Sequence, residues 1–256
     1  MYRRTMKSVI VLVMAIVFCG VGLKGCEKKT QAAEPTKPKA PEGYVLVEED
    51  VLLQFVELPG EHFHKARENF LKKDLKGAAS EIRKGEAFLR LQLARATSEG
   101  RKGLVVSIAD LEKLANDVEK GTVTSAKTLD RTFANAHHAL AKHHYLKALE
   151  YRTKKDTKRA GHSLKASAVH LEHAFAWAGH ELEAGTVKVV RTAHELGDKL
   201  IVGTGLMTDD VVKAIDYMGE EIDKLGKVIE PKKNQTVSQP TKPPVKPAGK
   251  ADSQKK

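Results

Sequence analysis

The chain has 256 residues, a formal charge of +11, two cysteines and one tryptophan, enough for one large or two small domains. Eight Lys/Arg against two acids lie in residues 1–40 and seven Lys against one Asp in residues 231–256, which leaves 29 basic and 30 acidic residues between 41 and 230. A body so nearly neutral excludes a nucleic-acid partner, which requires cations clustered on a structured face.

The amino terminus has the layout of an export signal. Residues 1–7, MYRRTMK, are basic, and SVIVLVMAIVFCGVGL is an apolar run of 16 residues, shorter than the roughly 20 that a helix needs to cross a bilayer. The sequence Leu23-Lys24-Gly25-Cys26 that follows resembles the lipobox of bacterial membrane lipoproteins, with Leu three positions before the cysteine and Gly directly before it. Lys24 departs from that pattern, in which a small or uncharged residue is usual. The resemblance implies that residues 1–25 are removed and that Cys26 is lipidated on its sulfur. It also implies that Glu27, in place of Asp, favours the periplasmic face of the outer membrane in a two-membrane bacterium. An uncleaved amino-terminal anchor is the alternative; in either case the positive end stays inside and the rest is exported. Cleavage at Cys26 discards Cys19, so neither a disulfide nor a thiolate metal site is expected.

Residues 26–43, rich in Pro, Lys and Ala, cannot bury a core and read as a tether. Residues 231–256 share that composition and read as a disordered basic tail. Between them, residues 44–230 show helical periodicity almost throughout, apart from a short extended candidate at YVLVEED. The spacing predicts helices near 61–72, 74–99, 103–120, 125–153, 157–183 and 186–202, punctuated by Gly100, Gly103, Gly121, Gly185 and Gly203. A last helix follows Thr208, its stripe formed by Val211, Ile215, Met218, Ile222, Leu225 and Ile229. The expected class is all-α, a bundle of about six to seven helices.

A shift of 82 residues aligns residues 62–122 with 144–204 without a gap, with 18 of 61 positions identical, among them KKD at Lys72 and Lys154 and glycines at 121 and 203. This reads as an internal duplication of a helical unit.

Nine of the eleven histidines fall between His137 and His194. In the second unit His162, His170, His173, His180 and His194 stand opposite Ser80, Phe88, Leu91, Ser98 and Glu112, so the scaffold does not demand imidazoles there. Counterparts such as Phe88 and Leu91 also make half-buried packing a sufficient reading of His170 and His173. At 100° per residue His162, His173 and His180 share one side of their helix, with His170 nearby. Antiparallel turns near 153–156 and 184–185 would bring His137, His138, His170, His173 and His194 to one level. Neutral imidazoles so gathered suit Zn²⁺, Cu²⁺ or Ni²⁺, with Glu172 or Glu195 as outer partners.

No phosphate-cradling loop, nucleophile elbow, HExxH or framed carboxylate pair is present. HELEAG and HELGDK begin like zinc-protease motifs but lack the second histidine. The expectation is therefore a non-enzymatic, lipid-anchored binding or structural module at the cell envelope, with an envelope protein or cell-wall polymer as partner. Histidine-based binding or buffering of a divalent transition metal is the alternative.

Overall fold

The computed structural model describes residues 55–204 and 208–229. The expectations for the signal, for Cys26, for the tether and for the C-terminal tail lie outside them. Among the described residues there are seven α-helices and no strand: α1 (Leu58–Leu71), α2 (Leu75–Leu93), α3 (Ser98–Glu119), α4 (Ala126–Thr153), α5 (Thr157–Ala178), α6 (Ala184–Ile201) and α7 (Asp209–Ile229). The all-α bundle expected from periodicity is what is found. No described helix is long and apolar enough to cross a membrane.

The largest departures from the expected boundaries fall at two places, each with a capping reason. The stretch expected as one helix over 74–99 ends at Leu93, and α3 starts at Ser98 because the Thr97 side chain accepts from Gly100 N at 3.1 Å. This satisfies an amide that would otherwise lack a partner in the first turn. The helix expected to reach 183 stops at Ala178, where Gly179 takes a left-handed conformation with φ of 71° and donates to Ala176 O and Phe175 O. Glycine takes that conformation without the Cβ penalty that other residues incur.

Neighbours in sequence pack as neighbours in space, and the long α4 is shared between two groups. Its first half closes a core with α1, α2 and α3, around Phe63, Leu89, Leu111, Leu129, Phe133 and Leu140. Its second half joins α5, α6 and α7 around a second core that includes Leu164, Leu171, Leu200, Ile215, Met218 and Leu225. The division along α4 falls between Leu140 and Ala141. Each fully buried leucine in either core contributes about 1.5–3 kcal/mol, so both groups have a hydrophobic driving force of their own.

Part of the backbone recurs at the 82-residue offset. The ends of α1 and α4 (71 and 153), the starts of α2 and α5 (75 and 157) and the ends of α3 and α6 (119 and 201) all differ by that number. Lys73 and Lys155 are both left-handed, with φ of 66° and 58°, as are Gly121 and Gly203 at 72° and 76°. Asp74 and Asp156 follow the two lysines and cap the next helix through Gly77 N and Arg159 N. A left-handed lysine costs about 1–2 kcal/mol; each is followed by a cap that offsets part of this. Helix α7 stands at the same offset from residues 127–147 of α4.

Small residues bring the second group close together. A Cβ on Gly161 of α5 would lie 2.7 Å from Gly197 O of α6, and one on Gly219 of α7 would lie 2.7 Å from the ring of Tyr145 on α4. These two contacts fix how α6 and α7 sit against the α4–α5 hairpin.

Candidate functional site

The hairpin of α4 and α5 determines which imidazoles meet. The turn after Thr153 makes the two helices antiparallel, and Ser167 Oγ donates to Ala141 O at 2.9 Å across them, which pins the register. His137 and His144 are seven residues apart on α4, so they share a face two turns apart. On α5, His170 and His173 lie one turn apart and meet that face.

The result is a continuous seam of rings. His143 contacts His144 with centroids 4.9 Å apart, and His144 stacks on His170 at 5.3 Å. His170 meets His137 at 5.3 Å, and their Nδ1 atoms are 3.2 Å apart. His137 stacks on His173 at 4.8 Å, His173 approaches His64 of α1 at 6.4 Å, and His64 lies 4.6 Å from Trp177. Phe63 presses edge-on against His137 at 5.4 Å, which ties the seam into the first core.

The centre of the seam is dry. His137 and His170 are 0 % exposed, His143 1 % and His144 2 %. A neutral imidazole has one N–H and one lone pair, so the His137–His170 bond requires the two rings to be opposite tautomers, one donating from Nδ1 and the other accepting there. Nε2 of His137, His144 and His170, and Nδ1 of His143, are buried without a hydrogen-bond partner among the described residues. Burial is the main cause that holds all four rings below the ordinary histidine range. Neighbouring imidazoles add to it for His137, His144 and His170. His143 is lowered to about 4 by burial and by the Lys147 ammonium, against the pull of Glu150.

Of the residues expected at one level, His137, His170 and His173 do come together. His138, one residue and 100° further round α4, instead reaches Ile222 O of α7 at 2.8 Å. His194 sits 3.5 Å from Glu172 and away from the seam. The reason is rotation rather than height: His194 comes level with Glu172, between His170 and His173, but Glu172 stands on another face of α5, 100° round from His173. His173 directs Nε2 to Glu57 at 2.9 Å. Among the described residues no group of three or more His, Cys, Asp or Glu side chains is placed to hold a metal ion.

Sequence reasoning missed His64, His143 and His144 as members of the seam. The spacing of seven between His137 and His144 was a usable signal. For His64, whose neighbours are all distant in sequence, there was none. Outside the seam, two of the clefts on the surface combine apolar and charged walls. One, of about 440 Å³, is bordered by Trp177, Arg131 and Ile229; the other, of about 540 Å³, lies between α6 and α7 and is bordered by Val189, Leu196 and Tyr217. Compared with protein-family models, curated proteins and solved structures, the chain matches none.

Proposed function

We propose that the protein is exported and anchored through a lipid on Cys26, and acts as a non-enzymatic binding or structural module at the cell envelope. In a two-membrane bacterium its place is the periplasmic face of the outer membrane. The observation that carries the binding part is the pair of open clefts on a bundle whose own apolar stripes are already buried. Clefts of several hundred Å³ lined by apolar side chains with a few polar groups are what small ligands and partner side chains occupy. The export signal and the lipobox-like Leu23 to Cys26 support the anchoring part, and the recurrence of turns and caps at 82 residues supports descent of the two units from one.

The test has two arms. Cys26→Ser should leave an unprocessed precursor that takes up no labelled lipid, and unchanged labelling would remove the anchoring. Cross-linking in intact cells should trap an envelope protein or cell-wall polymer on the surface around Val189 and Tyr217, and a clean surface there would remove that partner.

One observation favours a second reading, a histidine-based site for Zn²⁺, Cu²⁺ or Ni²⁺. The Nδ1 atoms of His137 and His170 are 3.2 Å apart, against about 3.3 Å for two imidazoles on one tetrahedral zinc with bonds of about 2.0–2.1 Å. The pair supplies two of the three or four ligands that such sites use, so the reading requires His173 or His144 to turn toward the pair. Titration of the full chain with Zn²⁺ and Cu²⁺ tests it, and binding that survives His137→Ala with His170→Ala would place the metal elsewhere.

A further inference from the structure

The 440 Å³ cleft lies where three helix ends meet: the start of α4, the end of α5 and the end of α7. Its wall is apolar, with Ala134, Ala178, Val228 and Ile229 beside the indole of Trp177, while Lys127, Arg131 and His180 stand around it. Asp130 also borders it, but its carboxylate is taken by Arg67 Nε at 2.8 Å. On its far side Arg131 borders a cleft holding Asp110 and Asp117, and Asp117 is bound by Lys113. Among the described residues neither Arg131 nor Lys127 has an ion-pair partner, whereas Arg67 beside them is bound to Asp130. Trp177 itself is 8 % exposed and borders the cleft, a flat apolar surface for a ligand's body.

We infer that this cleft binds a small organic carboxylate with an apolar body, its head on Arg131 and Lys127 and its body against Trp177 and Ile229. Arg131 offers the planar fork that matches a carboxylate, and Lys127 a point charge beside it. Lys127 stands in the first turn of α4, where the helix dipole also favours an anion. A volume of about 440 Å³ admits a ligand of drug-like size or smaller. An inorganic anion would leave the apolar wall unused, and an alcohol would leave the two cations unanswered. The inference rests on the binding-module reading and gives it a ligand class; it does not depend on export or on Cys26.

Trp177 is the chain's one tryptophan and borders the cleft, so at fixed pH its fluorescence reads occupancy there. The purified full chain is titrated with octanoate, with octan-1-ol and with inorganic phosphate. Octanoate should change the emission saturably with a sub-millimolar Kd. Octan-1-ol should bind at least ten-fold more weakly, and phosphate should cause no change. Arg131→Ala should raise the octanoate Kd ten-fold or more, Lys127→Ala several-fold, and Arg131→Lys should keep most of the affinity. Lys113→Ala, a surface cation paired outside the cleft, should match the parent. Circular dichroism checks that each variant keeps its helices. Equal binding of octanoate and octan-1-ol, saturable binding of phosphate, an unaltered Kd in Arg131→Ala, or no response to octanoate would each overturn the inference. A failure of lipid labelling in the Cys26 experiment would leave it standing.

Discussion

Lowering the pH from 7.5 to 5 should unfold or open the bundle, and the cause is the imidazole seam. His137, His143, His144 and His170 are buried and held below the ordinary histidine value of 6.5. In the unfolded chain they take up protons near that value, so the unfolded state binds more protons and stability falls as pH falls. The contribution is intact above about pH 7 and is lost from 6.5 downward toward the folded values, about 4 for His143. At pH 5 each ring that stays neutral when folded costs about 2 kcal/mol, and four cost about 8. That is comparable to the whole stability of a typical domain, roughly 5–15 kcal/mol. Charges near the seam offer limited relief: Glu57 reaches only His173, Glu150 is engaged by Lys147 and Lys154, and Lys147 itself opposes protonation of His143 and His144. The four paired glutamates held below their usual values, Glu81, Glu119, Glu150 and Glu221, lose their contribution only as pH falls below about 4.5. The window from 6.5 to 5 therefore isolates the histidines. Urea unfolding followed by circular dichroism at pH 7.5, 6.5, 6 and 5 measures the effect. In the double variant His137→Leu with His170→Leu the pH slope should fall substantially, since two of the five lowered seam imidazoles, His64 being the fifth, are removed. A stability at pH 5 within about 1 kcal/mol of that at pH 7.5 would refute the reasoning, as would an unchanged slope in the double variant.

Gly161→Ala should destabilise by about 1–3 kcal/mol, because its Cβ would meet Gly197 O and Leu200 Cβ, both at 2.7 Å; Gly185→Ala, with open space around it, should instead stabilise by roughly 0.5–1 kcal/mol. Thermal unfolding of the two variants should thus shift in opposite directions. Lys73→Gly and Lys155→Gly should each raise stability by up to about 1 kcal/mol by relieving left-handed backbone, and a loss in either would show that the lysine side chain matters more than its φ. Thr186→Val should cost about 1–3 kcal/mol, since Thr186 Oγ1 donates to the buried Glu221 carboxylate at 2.6 Å. Burial pushes that carboxyl up, but its bonds with Lys224 and Thr186 outweigh this; the variant's Glu221 should therefore titrate higher by NMR.

The fold was legible where its cause is local. Apolar spacing over 211–229 fixes α7, and KKD at 72–74 and 154–156 marks two turns because the aspartate caps the next helix wherever the lysine before it turns left-handed. The break at 94–97 was hidden by Ala94, Arg95 and Ala96, which favour a helix; Thr97 ends it through one side-chain bond. Leu182 continued the stripe of α5 by spacing, although Gly179 had already closed the helix. The site was legible in height but not in rotation. Levels along antiparallel helices follow from turn positions, so His137, His170 and His173 could be grouped. Which neighbour each ring faces depends on how α4 is oriented, and that is settled by distant contacts such as Tyr145 on Gly219 and Phe63 on His137.

The position of the seam follows from the sharing of α4. A helix that serves two cores must pass from one to the other, and the change falls at Leu140 and Ala141, with His137 before it and His143 and His144 after it. Apolar side chains there would merge the two cores into one continuous interior. Imidazoles fill the same volume and remain neutral near pH 7, yet they bond and stack only in particular orientations. Protonation of these rings acts on the joint between the two groups before it acts within either core. The acid transition should accordingly begin with loosening of the α4–α5 contact at the seam, where all four buried rings lie. Trp177 belongs to the first core and lies against His64, so its fluorescence should change at a higher pH than the helical signal does. Coincidence of the two transitions would mean that the groups unfold as one unit and that the seam couples them.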